Sequence, residues 1–224
     1  MEKENLRSFG VAVCTLFVFV LWTALVRFVD VQPIGPLGSS VGFATFNRLF
    51  HNITGVNMSL YTVTDWLGLI PLGVATGFAI LGLVQWLRRK HILKVDYDVL
   101  VLGGFYLAVA AVYILFEVLH INYRPVLING YLEASYPSST TMLVMCIMPS
   151  AAMQLNSRIK NYVLRRCVVF VITAFILFMV TGRLISGVHW VTDIIGGALL
   201  SVGLVLMYRA VAGLKVGRIT INRV

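Results

Sequence analysis

The stretch Gly182–Asp193, reading Gly-Arg-Leu-Ile-Ser-Gly-Val-His-Trp-Val-Thr-Asp, lies between two apolar runs yet carries Arg183, His189 and Asp193. A helix starting near His189 puts Asp193 one turn further on and on the same face. A carboxylate so placed holds one imidazole nitrogen and leaves the other with its lone pair outward. Histidine then becomes an oriented nucleophile or base. Arg183, at the end of the preceding run, offers a forked cation to a phosphate oxygen. The same residues also fit a plain ion pair tying two helix ends together.

Two other stretches carry polar chemistry at the end of an apolar run. Glu117-Val-Leu-His-Ile-Asn-Tyr-Arg-Pro closes one run, and Pro125 marks a helix end there. Glu117, His120 and Arg124 are spaced by three and four residues, so they form one polar stripe if the helix persists to Arg124. Ionisable groups so close to hydrocarbon usually turn toward a partner or a cavity. The second stretch is Tyr136-Pro-Ser-Ser-Thr-Thr. Pro137 followed by Ser138, Ser139 and Thr140 reads as a helix start. Its free N–H groups and hydroxyls suit an anion, or serve only as a cap.

The elements that must position these residues are membrane spans. Of 224 residues, 59% are hydrophobic and 12% charged, and the mean hydropathy is +0.89. That composition excludes an ordinary soluble domain and points to an all-α polytopic membrane protein. Six apolar runs, roughly 9–29, 66–86, 99–119, 138–155, 167–185 and 190–210, each approach the ~20 residues a span requires. The fourth is the shortest. No soluble domain, repeat or linker interrupts them, so residues 1–224 read as a single membrane domain. The first run is too long for a removable signal peptide and lacks its cleavage site.

The net charge of +9 is not a nucleic-acid signature, because the basic residues alternate with the runs. Only Arg27, Arg48, Arg124 and Arg183 fall in one set of connecting segments. The other fourteen of 18, from Lys3 and Arg7 through the clusters at 88–94 and 158–166 to Lys215, Arg218 and Arg223, fall in the alternate set. The positive-inside rule then makes both termini cytoplasmic and turns segments 30–65, 120–137 and 183–189 outward. His91 falls on the inner side, away from His189. Within the long outer segment, Val41–His51 reads as an amphipathic helix, lying on the leaflet or packed as a lid on the bundle. Cys14, Cys146 and Cys167 have no metal-ligand spacing and read as small apolar packing residues.

Arg124, Ser138–Thr140, Arg183 and His189 thus come from four helix ends that the charge pattern assigns to one outer surface. Here the chain resembles the type 2 phosphatidic acid phosphatase superfamily, which shares its helical core with vanadium haloperoxidases. That pattern has three blocks: Lys-x6-Arg-Pro, Pro-Ser-Gly-His and Ser-Arg-x5-His-x3-Asp. The third block matches at Arg183, His189 and Asp193, with Gly182 in place of serine. The first keeps Arg124-Pro125 but has Glu117 for the lysine. The second keeps Pro137-Ser138 but has Ser139 for the glycine and Thr140 for the histidine.

The resemblance implies six helices in a bundle with the active site at the outer membrane surface. It also implies an integral-membrane hydrolase acting on a lipid phosphate or diphosphate without metal or cofactor. The histidine matching His189 forms a phosphohistidine, and the aspartate matching Asp193 orients it. The arginines matching Arg124 and Arg183, with the helix start at Ser138–Thr140, hold the phosphate oxygens. The family's leaving-group acid is absent here. His120, oriented by Glu117, is a candidate substitute, and a diphosphate, whose leaving group needs less protonation, becomes the favoured substrate over phosphatidic acid or phosphatidylglycerophosphate. The alternative is a catalytically degenerate relative that binds phospholipid headgroups or a membrane partner. The partners expected are a lipid substrate and the bilayer, with no nucleic acid, and the location is the plasma membrane if the source is bacterial.

Overall fold

In hydrocarbon each backbone N–H and C=O must be bonded within its own segment, so long apolar runs settle as helices. The computed structural model describes residues 2–221, with side chains for 6–213, and among them eight α-helices. They are α1 (Glu2–Phe28), α2 (Ala44–Thr54), α3 (Met58–Leu67), α4 (Leu69–Arg89), α5 (Tyr97–Leu119), α6 (Ser139–Arg158), α7 (Tyr162–Ile185) and α8 (Val191–Ile221). Arg223 and the side chains of Lys3, Lys215 and Arg218 lie outside the described residues.

Among the described residues five segments are long and apolar enough to cross a membrane: Leu6–Phe28, Met58–Arg89 (α3 and α4 together), Tyr97–Leu119, Tyr162–Ile185 and Val191–Gly213. The chain is an integral membrane protein. The fourth run is a 20-residue helix, α6, but it falls short of that apolarity. The reason is its place in the bundle. It packs against α4, α5, α7 and α8, and Thr141, Ser150 and Gln154 along it are buried. A helix walled by other helices meets little lipid and tolerates hydroxyls and amides that an outer span does not.

The helices lie so that two ends are distinct. At one end Ser138 N–H donates to the Asp193 carbonyl, Trp22 Nε1 to the Thr192 carbonyl and Arg183 to Asp65. At the other end Arg158 pairs with Asp98, Arg89 with Asp96, and Gln154 donates to Tyr208. The polar stretches singled out in the sequence therefore share one end, and the basic segments 88–94 and 158–166 share the other. α1 packs along α8, with Leu16 against Gly203. The core between them holds Phe19, Leu102, Phe105, Met142 and Leu200.

α2 sits at the first end, and it combines the two readings left open for it. Its buried Asn47 bonds to Thr192 at the start of α8 at 3.0 Å, while Phe46, Leu49 and Ile53 stay exposed on the opposite face. The helix is packed on the bundle through a polar side and presents apolar side chains outward, as a helix lying in a membrane interface does.

α5 departs from expectation. It ends at Leu119, not near Pro125, because His120 takes a left-handed φ of +41°. The stripe of Glu117, His120 and Arg124 is therefore not formed. The chain from 121 to 136 instead folds back on itself, with bridges pairing Tyr123 with Ala134 and Ile128 with Tyr131. Asn129 and Gly130 make the reversal with φ of +51° and +82°. Such a two-residue turn with both φ positive is the Asn-Gly hairpin type.

Candidate active site

That hairpin, not a helix end, carries Arg124. Its backbone N–H donates to the Glu133 carbonyl across the fold-back at 3.0 Å. The buried guanidinium turns inward, and Nη1 comes within 3.4 Å of His189 Nε2. Arg183 projects from the last turn of α7 and is almost wholly buried. Its Nη2 donates to Thr140 Oγ1 at 2.6 Å and to Asp65 Oδ1 at 3.0 Å.

Two cations this close need a reason to stay together, and Tyr61 of α3 supplies one. The carbon centres of both guanidiniums sit over its ring, Arg183 at 4.9 Å and Arg124 at 5.8 Å from the centroid. The electron-rich face attracts each of them, and a desolvated contact of this type contributes about 0.5–2 kcal/mol. α3 reaches the site because Gly182 has no side chain. A Cβ there would stand 2.8 Å from Thr64 Cγ2. Gly187 holds the next approach, with φ +68° and space for a Cβ only 1.8 Å from the Gly55 carbonyl oxygen.

His189 lies two residues before α8 and is buried. Asp193 is buried too, but its geometry differs from a direct imidazole clamp. Because α8 begins at Val191, Asp193 falls at the third helical position and caps the helix start. Its Oδ2 accepts the Trp190 N–H at 2.9 Å, the carboxylate half of a capping box. Asn122 Nδ2 approaches Oδ1 at 3.4 Å. His189 Nδ1 stands 3.8 Å from Oδ2, within ion-pair reach but without a hydrogen bond. Burial holds the His189 imidazole well below its ordinary pKa of 6.5, and Arg124 and Arg183 push the same way. The ring is therefore neutral at physiological pH, with a lone pair available, as a nucleophile requires.

At the start of α6, Ser138 caps the helix toward the Thr141 N–H, Thr140 is held by Arg183, and Ser139 lines a small adjacent cavity. Glu117 lines that same cavity with Ser135 and Tyr136, and His189 is not among its lining residues. His120 is exposed, bonds through Nδ1 to the Val118 carbonyl at 2.9 Å and stacks on Tyr123. Arg124, Arg183, His189, Asp193, Ser138 and Thr140 are thus brought together, while Glu117 and His120 stay outside that group. Several participants lie outside the three blocks. Tyr61, Thr64 and Asp65 belong to the loop-side helix α3. Glu133 pairs with Arg124 Nε at 3.0 Å, aligned as an ion pair and not as a hydrogen bond. The Asn129-Gly130 dipeptide was the readable signal for a hairpin that would set Glu133 opposite Arg124.

Each arginine therefore already faces a carboxylate, and Nε of both lacks a hydrogen-bond partner in the described residues. Buried polar atoms left unpaired are costly and favour a ligand that completes them. The described residues contain no cluster of three or more His, Cys, Asp or Glu able to hold a metal ion.

The comparisons with known proteins fall on this segment. The sequence profile of the PAP2 superfamily matches residues 119–215, which contain every member of the group except those from α3. A solved structure, described as the first transmembrane PAP2 type phosphatidylglycerolphosphate phosphatase from Bacillus subtilis, has a similar fold. The TM-score is 0.50 at 19% identity, over 89% of this chain and 93% of that one. No curated protein matches the chain. Residues 119–215, which bring two arginines, a helix start and a neutral histidine to one end of a helical membrane bundle, are thus similar in sequence to the PAP2 superfamily.

Proposed function

We propose that this chain removes phosphate from the headgroup of a membrane lipid through a phosphohistidine formed on His189. The observation that carries the reading is the meeting of His189 Nε2 with Arg124 Nη1 at 3.4 Å, beside a second guanidinium that shares the Tyr61 ring. A nucleophile facing preplaced cations matches what phosphoryl transfer needs, since its charge develops on the equatorial oxygens. In the first step the Nε2 lone pair bonds to phosphorus while the bond to the leaving oxygen breaks. Arg124, Arg183 and the start of α6 take the oxygen charge, and Asp193 offsets the positive imidazolium. In the second step water attacks phosphorus, the P–N bond breaks, and inorganic phosphate and neutral His189 are restored. The α1, α3–α4, α5, α6, α7 and α8 segments serve as six spans of one membrane domain. The site faces outward and both termini face the cytoplasm, at the plasma membrane if the source is bacterial.

The decisive test is phosphate release from a lipid panel by the full chain in detergent. His189→Ala should abolish turnover, and Asp193→Asn should leave a small residue of it, because the aspartate supports a bond that the histidine itself makes. Arg124→Ala and Arg183→Ala should each cost about 10²–10³-fold. Unchanged turnover in His189→Ala sinks the mechanism. Absence of turnover in the unmodified chain, with retained headgroup binding, favours the degenerate binder.

The substrate follows from the missing proton donor. Thr140 stands where the family has its acid, and its hydroxyl is held by Arg183. An alkoxide leaving from a monoester needs a proton far more than a phosphate leaving from a diphosphate does. A positioned acid contributes about 10²–10⁴-fold to such a step. A polyprenyl-type diphosphate is therefore favoured over phosphatidic acid and over the phosphatidylglycerophosphate for which the structurally similar enzyme is named. Thr140→His should raise monoester kcat/KM selectively. A lower monoester rate in His120→Ala would instead make His120 the donor, despite its exposed position.

A further inference from the structure

Far from His189, at the end that carries the basic segments, α4 and α5 flank a half-open apolar cavity of about 480 Å³. Its walls include Ala75, Ala79 and Gly82 of α4, with Val99 and Gly103 of α5. Small residues make the room. A Cβ at Gly103 would meet nothing within 4 Å, and one at Gly82 only Val99, at 3.3 Å. The slot runs along α4 from Ala75 to Trp86, which at 1.5 Å per residue is about 16 Å. That is roughly half of the ~30 Å hydrocarbon thickness, the depth of one leaflet.

The slot ends at a cationic loop. Arg89 is paired with Asp96, but the exposed side chains of Arg88, Lys90 and Lys94 have no carboxylate or hydrogen-bond partner among the described residues. A single hydrocarbon chain suits both its length and its apolar lining.

We infer that this slot binds one acyl chain of an anionic phospholipid from the leaflet at the basic end, with its phosphate among Arg88, Lys90 and Lys94. The site is separate from the His189 end and does not depend on the activity proposed for it. Its occupant is a bound structural lipid, not a substrate.

Native mass spectrometry of the full chain in detergent tests it, using dioleoyl phosphatidylglycerol against dioleoyl phosphatidylcholine. One retained phosphatidylglycerol per chain is expected, with a matching rise in Tm that phosphatidylcholine does not produce. In Arg88→Gln/Lys90→Gln/Lys94→Gln the binding should weaken about fivefold per charge removed. In Ala79→Leu, and separately in Gly103→Leu, a filled slot should abolish the adduct. Circular dichroism identifies a variant that has lost its helices, and the charge variant stands on its own if either leucine variant does so. Equal retention of both lipids overturns the inference. So does an adduct that survives both leucine variants, or a slot closed by a second copy of the chain, seen as a dimer that the leucine variants dissociate.

Discussion

At the scale of single residues, the candidate site is built to hold positive charge without an anion present. Asp65 and Glu133 each face one of the two arginines, and both carboxylates are about half exposed, at 56% and 41%. A phosphate entering the site competes with them for the guanidiniums. An exposed ion pair of this type contributes ~0.2–1 kcal/mol, so Glu133→Gln should strengthen inhibition by inorganic phosphate or vanadate by roughly two- to fivefold. Weaker inhibition would make Glu133 a positioning residue for Arg124. The spacing of Arg183, His189 and Asp193 was legible in the sequence because i, i+4 and helix-end positions repeat wherever a helix starts. Tyr61 and Asp65 were not, since a tyrosine and an aspartate in an outer segment resemble any interfacial pair until α3 folds onto α7.

At the scale of elements, the approach of α3 to α7 decides whether Arg183 keeps its neighbours. Gly182→Ser restores the residue of the resembling family but puts its Cβ into Thr64 at 2.8 Å. Overpacking of this kind costs about 1–3 kcal/mol, and Tm should fall by roughly 2–4 °C for each of them. Thr64→Ser in the same chain removes the clashing methyl and keeps the hydroxyl, so it should restore most of the loss. A double variant as unstable as Gly182→Ser alone would show that the contact does not set the packing. The apolar runs read well from sequence because hydrocarbon leaves a long segment no alternative to helix. The segment 120–136 read badly. Pro125 is a strong stop signal, but His120 had already left the helix, and the Asn-Gly turn that governs the rest gives no mark at the stop itself.

At the scale of the whole molecule, stability is tied to the protonation of His189. Its folded pKa lies well below the unfolded value of 6.5, so between the two the unfolded chain binds a proton that the folded chain refuses. Stability contributed by neutral His189 is complete above pH 6.5 and is lost as pH falls below it, at up to ~1.4 kcal/mol per pH unit. Half-buried His51 is shifted in the same direction and adds to the slope. Melting of the detergent-solubilised chain from pH 8 to 5 should show this decline, and His189→Gln should flatten it. An unchanged slope would mean that the imidazole is solvated and not enclosed. Five membrane-length apolar helices were readable at this scale; the polarity of α6 is explained only by its surroundings. Those surroundings also bear on how the chain enters the membrane during synthesis. A helix too polar to partition into lipid alone has no stable place there until α7 and α8 have emerged to wall it. The middle of the bundle is therefore the last part to become secure, and the start of α6, which carries Ser138 and Thr140, is completed only when the final span arrives.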